Sequence, residues 1–356
     1  MPPEIRIGDR LIGGDRATYF IADIAANHDG DLARAKALIH LCAQAGADAA
    51  KFQNFEARSI VSDAGFRQLG SMAHQAKWNK SVYEVYEDAS LDLEWTEALR
   101  QACIDAGVEY MTTPYAFDLA RHLAPYVRAW KIGSGDITWI SFIEQLARDG
   151  KPLLIATGAS TMSDVERAVS AARRYNEQIV LMQCNTNYTG DPANFHHVSL
   201  NVLKTYAARF PDLVLGLSDH TPGHATVLGA VALGARVVEK HFTDDVNRAG
   251  PDHAFSMDPR TWREMVDRTR ELEAALGSAE KWVMDNEVES VVVQRRALRA
   301  ARAIPAESVL SEADIVSLRP CPADGLAPYD IDRVLGKRVR RAISPGELLT
   351  LVLFDE

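Results

Sequence analysis

Over about the first 275 residues, short apolar runs alternate with amphipathic stretches of helical period, joined by loops of Gly, Thr, Ser, Asp or His. Eight such runs recur: YFIADI (19–24), ADAAKFQ (47–53), VEYMTT (108–113), RAWKIG (128–133), PLLIAT (152–157), QIVLMQC (178–184), DLVLGLS (212–218) and ARVVEKH (235–241). Runs this short and this apolar fit parallel strands covered on both faces. The intervening stretches read as helices. In DLARAKALIHLCAQAG, Leu32, Ala35, Leu38, Ile39 and Cys42 share one face and Gly46 supplies a stop. In SDVERAVSAARRY, Ser163 with Glu166 three residues on gives a capping-box signal. Eight strand–helix units in series predict a (β/α)8 TIM barrel, with a doubly wound open sheet as the alternative.

Two stretches break the pattern. Residues 54–93, after the second run, are far longer than an ordinary connection and rich in Trp, Tyr and Lys, which fits a flap over the barrel mouth. From about Val291 the helical period disappears, and ALRAARAI, GKRVRRAI and LLTLVLF are punctuated by PAES, RPCPADGLAP and SPGE. This predicts a barrel over residues 1–280, a linker over 281–296 and a small β-rich domain over 297–356.

Hydrophobic residues at 47% and charged residues at 25% describe a soluble globular protein. The net charge of -10 argues against nucleic acid or an anionic membrane surface as partner, so an anionic substrate would need a local cluster of cations. The four cysteines are dispersed with no CxxC pair, which disfavours a disulfide framework or a thiolate zinc site and fits a reducing cytoplasm. MPPEIRIGDR lacks the apolar core of a signal peptide, and no run approaches the ~20 residues a membrane span needs.

In a barrel of this kind, reactive groups collect at the carboxyl ends of the strands. The ends here supply Asp23, Asn27 and His28; Lys51 and Gln53; Thr112 and Thr113; Lys131, Ser134 and Asp136; Thr157; Gln183, Asn185 and Tyr188; Ser218, Asp219 and His220; Glu239, Lys240 and His241. His220 and His241 end neighbouring strands, and two imidazoles with carboxylates nearby suit a six-coordinate divalent ion such as manganese or magnesium. Lys51 and Lys131 at buried strand ends need anionic partners, either internal carboxylates such as Asp23 or Glu239, or an external phosphate. KIGSGD would cradle such a phosphate with Lys131, its backbone N–H groups and Ser134. Gly158, after Thr157, offers further donors, and Asp252 on a Gly-Pro loop is placed to meet a polyol.

IADIAANHDGDLARAKALI, AGADAAKFQ, KIGSGD, GLSDHTPG, EKHFT and GPDHAFSMD, in this order, resemble the motifs of the sialic acid synthase family, which includes legionaminic and pseudaminic acid synthases. The end of the chain, with LGKRVRRAISPGELL, resembles that family's antifreeze-like SAF (β-clip) domain. The resemblance implies condensation of phosphoenolpyruvate with an open-chain N-acetylated hexose. His220 and His241 would hold manganese, with magnesium or cobalt as alternatives. Lys51, Lys131, Ser134 and Ser218 would hold the phosphate and carboxylate of the donor, with Thr157 and Thr186 on the phosphate side. Gln53, Tyr188 and Asp252 would face the sugar, and Arg319 would reach a neighbouring site across a domain-swapped homodimer. Asp23 stands where the family usually has a glutamate, one methylene longer; QCNTNYTG and RPCPADGLAP also depart from the family pattern. Two other readings remain: a carbohydrate-binding protein on a decayed barrel, and a synthase acting on a phosphorylated sugar.

Overall fold

A computed structural model describes residues 3–69 and 80–355. The chain forms two compact units, Met1–Gly277 and Ser278–Glu356. The first opens with an antiparallel hairpin of β1 (Glu4–Ile7) and β2 (Arg10–Gly13). Eight strands follow: β3 (Tyr19–Asp23), β4 (Ala49–Asn54), β5 (Glu109–Pro114), β6 (Trp130–Ile132), β7 (Leu153–Ala156), β8 (Ile179–Cys184), β9 (Val214–Asp219) and β10 (Ala235–His241). They pair in parallel in the order β5-β4-β3-β10-β9-β8-β7-β6. The end strands β5 and β6 are in contact, so the sheet curls into the expected TIM barrel.

Each of the eight apolar runs is a strand, because both strand faces are buried. One face packs against the surrounding helices through residues such as Phe20, Ala22, Phe52, Tyr110, Trp130, Ile155, Leu181, Leu217 and Val238. The other fills the barrel interior with Tyr19, Ile21, Ala49, Met111, Ala129, Leu154, Val180, Met182, Val214 and Val237. The hairpin packs Ile5, Ile7 and Ile12 into this interior cluster, contributing on the order of 1.5–3 kcal/mol per side chain. A β-bulge between Ala235 and Val237 resets β10, so that Val237 turns inward although Ala235 packs outward.

The helix Leu32–Gln44 buries Ala35, Leu38, Ile39 and Cys42, as its periodicity predicts, and Gly46 takes φ 98° just beyond it. The next capping prediction needs correction. The helix Met162–Arg173 begins before Ser163: Thr161 is its N-cap and closes the box with Asp164, while Glu166 pairs with Arg209. The insertion after β4 carries the helices Ala57–Ile60, Asp63–Leu69 and Val82–Ala89; its residues 70–79 lie outside the described residues.

The second unit has its own core of Leu298, Ala300, Ile304, Leu310, Val334, Val339, Ile343, Leu349 and Phe354. Its regular sheet is the antiparallel pair β11 (Ala297–Ala300) and β12 (Ile315–Leu318), extended by isolated bridges such as Ile304–Ile343 and Val339–Phe354. The stretch read as a linker includes a short helix, Val288–Gln294.

Candidate active site

Side chains alternate along a strand with a period of two, so the interior apolar set fixes which polar residues face inward further along. Ile21 leads to Asp23, Ala49 to Lys51 and Gln53, Ala129 to Lys131, Val214 to Ser218, and Val237 to Glu239 and His241. The register gathers these positions: His241 lies opposite Asp23, Asp23 opposite Lys51, and Glu239 opposite Ser218. All come from the carboxyl ends of the strands.

Two buried ammonium groups dominate the layer. Lys51 Nζ donates to Asp23 Oδ2 at 2.6 Å and lies 3.8 Å from Glu239 Oε1. Lys131 Nζ stands 3.4 Å from the same Glu239 oxygen, and the Ser218 hydroxyl is 3.5 Å from it. Burial pulls the Lys51 ammonium down, but Asp23 and Glu239 together hold it above its usual range, so it stays charged. Gln53 Nε2 and the Ala25 N–H complete the bonding of Asp23, at 2.9 and 3.1 Å.

Three buried polar atoms here have no hydrogen-bond partner: Glu239 Oε2, His241 Nδ1 and Asp136 Oδ2. Protein interiors rarely tolerate such atoms unless something else meets them. Beside them, Ser134 Oγ accepts from the Gly158 N–H at 2.9 Å. A Cβ on Gly158 would collide with Thr186 Oγ1 and come within 2.9 Å of Ser134 Oγ and 3.0 Å of Cys184 Sγ, so only glycine leaves this cradle open.

The imidazoles of His220 and His241 lie with ring centroids 5.4 Å apart, and the Tyr188 and Phe255 rings pack against both. His220 Nδ1 faces the Asn185 carbonyl at 3.1 Å; burial disfavours its charge, but the Cys184 thiol and this carbonyl together hold the imidazole above its usual range. For His241, Nε2 is 3.7 Å from Asp23 Oδ2, beyond hydrogen-bond reach, and Nδ1 is the orphan. Burial, reinforced by His220 and Lys51, pushes the His241 imidazole well below its usual range and keeps it neutral, as a metal ligand must be. His241 thus suits a divalent ion as it stands, and His220 would join it on giving up its proton. Among the described residues no cluster of three or more His, Cys, Asp or Glu is arranged for one, so such an ion would take only two protein ligands and complete its shell with water and substrate oxygens.

Above this layer opens a cavity of about 370 Å³, lined by Gln53, Tyr115, Ser134, Asp136, Tyr188, His241 and Asp252, with Ile60, Val85, Tyr86 and Ala89 of the insertion on its outer wall. The insertion thus covers the mouth, as expected. Burial raises both Asp252 and Asp136 to about 6.

With this geometry in place, comparison decides the family: residues 38–281 match the NeuB family and residues 295–354 the SAF domain. The chain belongs to the NeuB family. It is 33% identical over 345 residues to the N,N'-diacetyllegionaminic acid synthase of Legionella pneumophila, covering 95% of this chain and 94% of that one. It is 29% identical to the human N-acetylneuraminate-9-phosphate synthase, covering 100% and 98%. Its fold matches the crystal structure of the N-acetylneuraminic acid synthetase of Leptospira borgpetersenii in complex with citrate, with a TM-score of 0.71 and 27% identity over 82% of this chain and 96% of that one.

In this NeuB-family barrel the fold brings together Asp23, Lys51, Gln53, Lys131, Ser134, Thr186, Tyr188, Ser218, His220, His241 and Asp252. Thr157 is placed differently. It continues the outward face after Ile155, donates to the Met182 carbonyl at 2.9 Å and accepts from Tyr206 Oη at 3.0 Å. Arg319 belongs to the second unit, where it is exposed and its Nε donates to the Gln294 carbonyl at 2.6 Å. Asn27 and His28, although at a strand end, serve the loop: Asn27 Nδ2 donates to the Phe242 carbonyl and Ser256 Oγ, and His28, lowered to about 4 by burial, accepts from the Gly30 N–H. Sequence reasoning offered Glu239 as an internal partner of the two lysines, which the structure bears out, and named Asp136 among the strand-end groups; it did not name Tyr115 or Phe255.

Proposed function

We propose that the chain is a nonulosonic acid synthase that joins phosphoenolpyruvate to the open-chain aldehyde of an N-acylated amino hexose and releases inorganic phosphate. The observation that carries this reading is the pair of buried lysines on one half-satisfied carboxylate, Glu239, with Asp23 bound to one of them and standing beside the paired imidazoles. Asp23 and Glu239 balance the two ammonium groups at rest, so an anionic donor would compete with Glu239 for them, and the relatives' activities supply the class of product.

Lys51 and Lys131, with Ser134, Ser218 and the Gly158 cradle, hold the donor's phosphate and carboxylate against the acceptor, supplying proximity. C3 of the enol then bonds to the aldehyde carbon, leaving an oxocarbenium-like centre at C2. Water adds at C2, and Asp23 takes its proton and returns it to the alkoxide left on the former aldehyde carbon. The C2–oxygen bond to phosphate breaks as the C2 hydroxyl gives its proton to the departing phosphate. Asp23 is shorter than the family glutamate, but three donors fix its carboxylate in place, so it acts on a water brought to it rather than by reaching. His220 and His241 would hold the divalent ion, manganese in this reading, whose chemistry when bound is Lewis-acid polarisation of the acceptor carbonyl.

The proposal extends to a cytoplasmic enzyme and to a domain-swapped homodimer in which Arg319 serves a neighbouring copy. Two observations are consistent with it: no helix among the described residues is long and apolar enough to cross a membrane, and Arg319 is exposed. The test is phosphate release from phosphoenolpyruvate with a panel of N-acylated hexoses, with and without EDTA. One phosphate per sugar consumed, lost on chelation and restored by manganese, is expected. A folded protein that consumes no donor with any acceptor would overturn the reading.

A further inference from the structure

A second cavity, of about 650 Å³, continues outward from the first. The two share Ala26, Val85, Ala89, Tyr188 and Pro251, so together they form one channel from the imidazoles to the surface. The inner cavity, about 370 Å³, lies at the small end of the ~300–1,000 Å³ typical of ligand sites, and it must receive the reacting end of the acceptor over the donor. The far end of the acceptor therefore extends into the outer cavity. Its wall is apolar where the channel turns outward: Val85, Ala89, Pro251, Ala254 and Phe255.

The charges along this channel run against an anion. The inner cavity is lined by two carboxylates, Asp136 and Asp252, and by no Lys or Arg among the described residues. The outer one has Asp29, Asp88 and a single described cation, Lys80, whose Nζ is bound to Asp88 at 2.5 Å. Arg248, behind the outer wall, is held by Asp29 through two hydrogen bonds of 3.0 and 2.7 Å, and Arg34 by Asp244 and Asp29. A sugar phosphate entering here would meet carboxylates on both sides and would find each of these cations already engaged. An uncharged substituent meets apolar wall instead.

We infer that the outer cavity selects an acceptor whose distal end carries uncharged apolar groups, acylamino or methyl, and rejects one that ends in phosphate. The inference rests on the condensing activity proposed above and names its acceptor class. The experiment measures kcat/KM, at saturating phosphoenolpyruvate, for N-acetylmannosamine, for its ester phosphorylated on the terminal hydroxyl, and for a diacetamido-trideoxy hexose. The diacetamido sugar is expected to exceed N-acetylmannosamine, and N-acetylmannosamine its phosphate ester, each by about tenfold or more. Ala254→Arg, which sets a cation in the outer cavity, should raise kcat/KM for the phosphate ester by about tenfold. Calorimetric binding of the three sugars to the donor-loaded protein kept in EDTA, where the proposed reaction stops, reports the same ranking without turnover. Equal or better use or binding of the phosphate ester by the unaltered protein overturns this inference alone, whereas absence of donor consumption with every sugar, binding notwithstanding, overturns the condensing reading.

Discussion

Two lysine–aspartate pairs are buried in this barrel to the same depth, and they are built differently. Lys240 is bound to Asp219 and to the Thr221 carbonyl at 2.6 Å, and Asp219 also accepts from the hydroxyls of Thr221 and Thr226. Every strong donor and acceptor there is matched, and the pair lies on the outward face with Leu217 and Val238. Lys51 and Asp23 sit on the inward face, in a network that shares Glu239 with Lys131 and leaves Glu239 Oε2 and His241 Nδ1 unmatched. A saturated pair holds strand to helix, whereas an unsaturated one waits for a ligand. Burial alone does not distinguish a structural ion pair from a functional one; the count of leftover hydrogen-bonding atoms does.

The comparison can be broken most severely at the imidazoles. His241→Ala should lower kcat by about 10³-fold or more, since carbonyl polarisation is worth several kcal/mol and each 1.36 kcal/mol is tenfold in rate, while circular dichroism and Tm stay close to those of the parent. A kcat within tenfold of the parent would remove this residue from the site. Asp23→Asn comes next: about 10²-fold or more off kcat with KM for phosphoenolpyruvate nearly unchanged, if Asp23 handles the proton of the attacking water. A loss confined to KM would instead make it a donor-binding group.

The two lysines sharpen the contrast directly. Lys51→Met should raise KM for phosphoenolpyruvate by about 10²-fold and also cost about 3–5 kcal/mol, because it leaves Asp23 and Glu239 buried with one cation fewer. Lys240→Met should leave kinetics nearly intact while costing about 3–5 kcal/mol, or roughly 10 °C in Tm, by stranding a buried carboxylate. Steady-state kinetics and thermal melts of both variants check this, and exchanged kinetic outcomes would invert the assignment of the two pairs.

The smallest effect is one of pH, and the two regions should differ in sign. Burial raises Asp252 from 3.8 to about 6, so the folded state binds more protons than the unfolded one between those values and stability falls as pH rises through them. Asp252→Asn should therefore remove part of that fall and raise Tm slightly at pH 7. Asp219 behaves oppositely: burial opposes its charge, but Lys240 and the two threonines hold it below its usual range. Its contribution is present above the unfolded carboxylate range and is lost on acidification. Melting curves across pH 4–8 for the parent and the Asp252 variant give the test.

The barrel was legible because buried parallel strands must be apolar on both faces, and all eight runs satisfy that condition. The strand-end residues were legible for the same topological reason. Which of them face inward was not, because runs such as LLIA and IVLMQC are apolar at every position and carry no visible alternation. Thr157 thus read as a substrate residue although it follows the outward Ile155 and bonds the Met182 carbonyl. The bulge at Ala235–Val237 further hides the parity of β10, since nothing in ARVVEKH marks an extra residue. The capping box at Thr161 was displaced by two residues because Ser163 and Glu166 fit the same pattern as Thr161 and Asp164. Arg319 could be placed from sequence only by family resemblance, as it lies outside the repeating pattern altogether.

The β1–β2 hairpin, wedged by three isoleucines into the base of the barrel, closes that end, so the channel above the lysines is the door the described residues offer to that layer. Traffic through a single door has a required sequence: the molecule that lodges deeper must arrive first and depart last. The lysine shelf lies below the channel that leads to the surface, so kinetics should be ordered, with the enol phosphate loading ahead of the sugar.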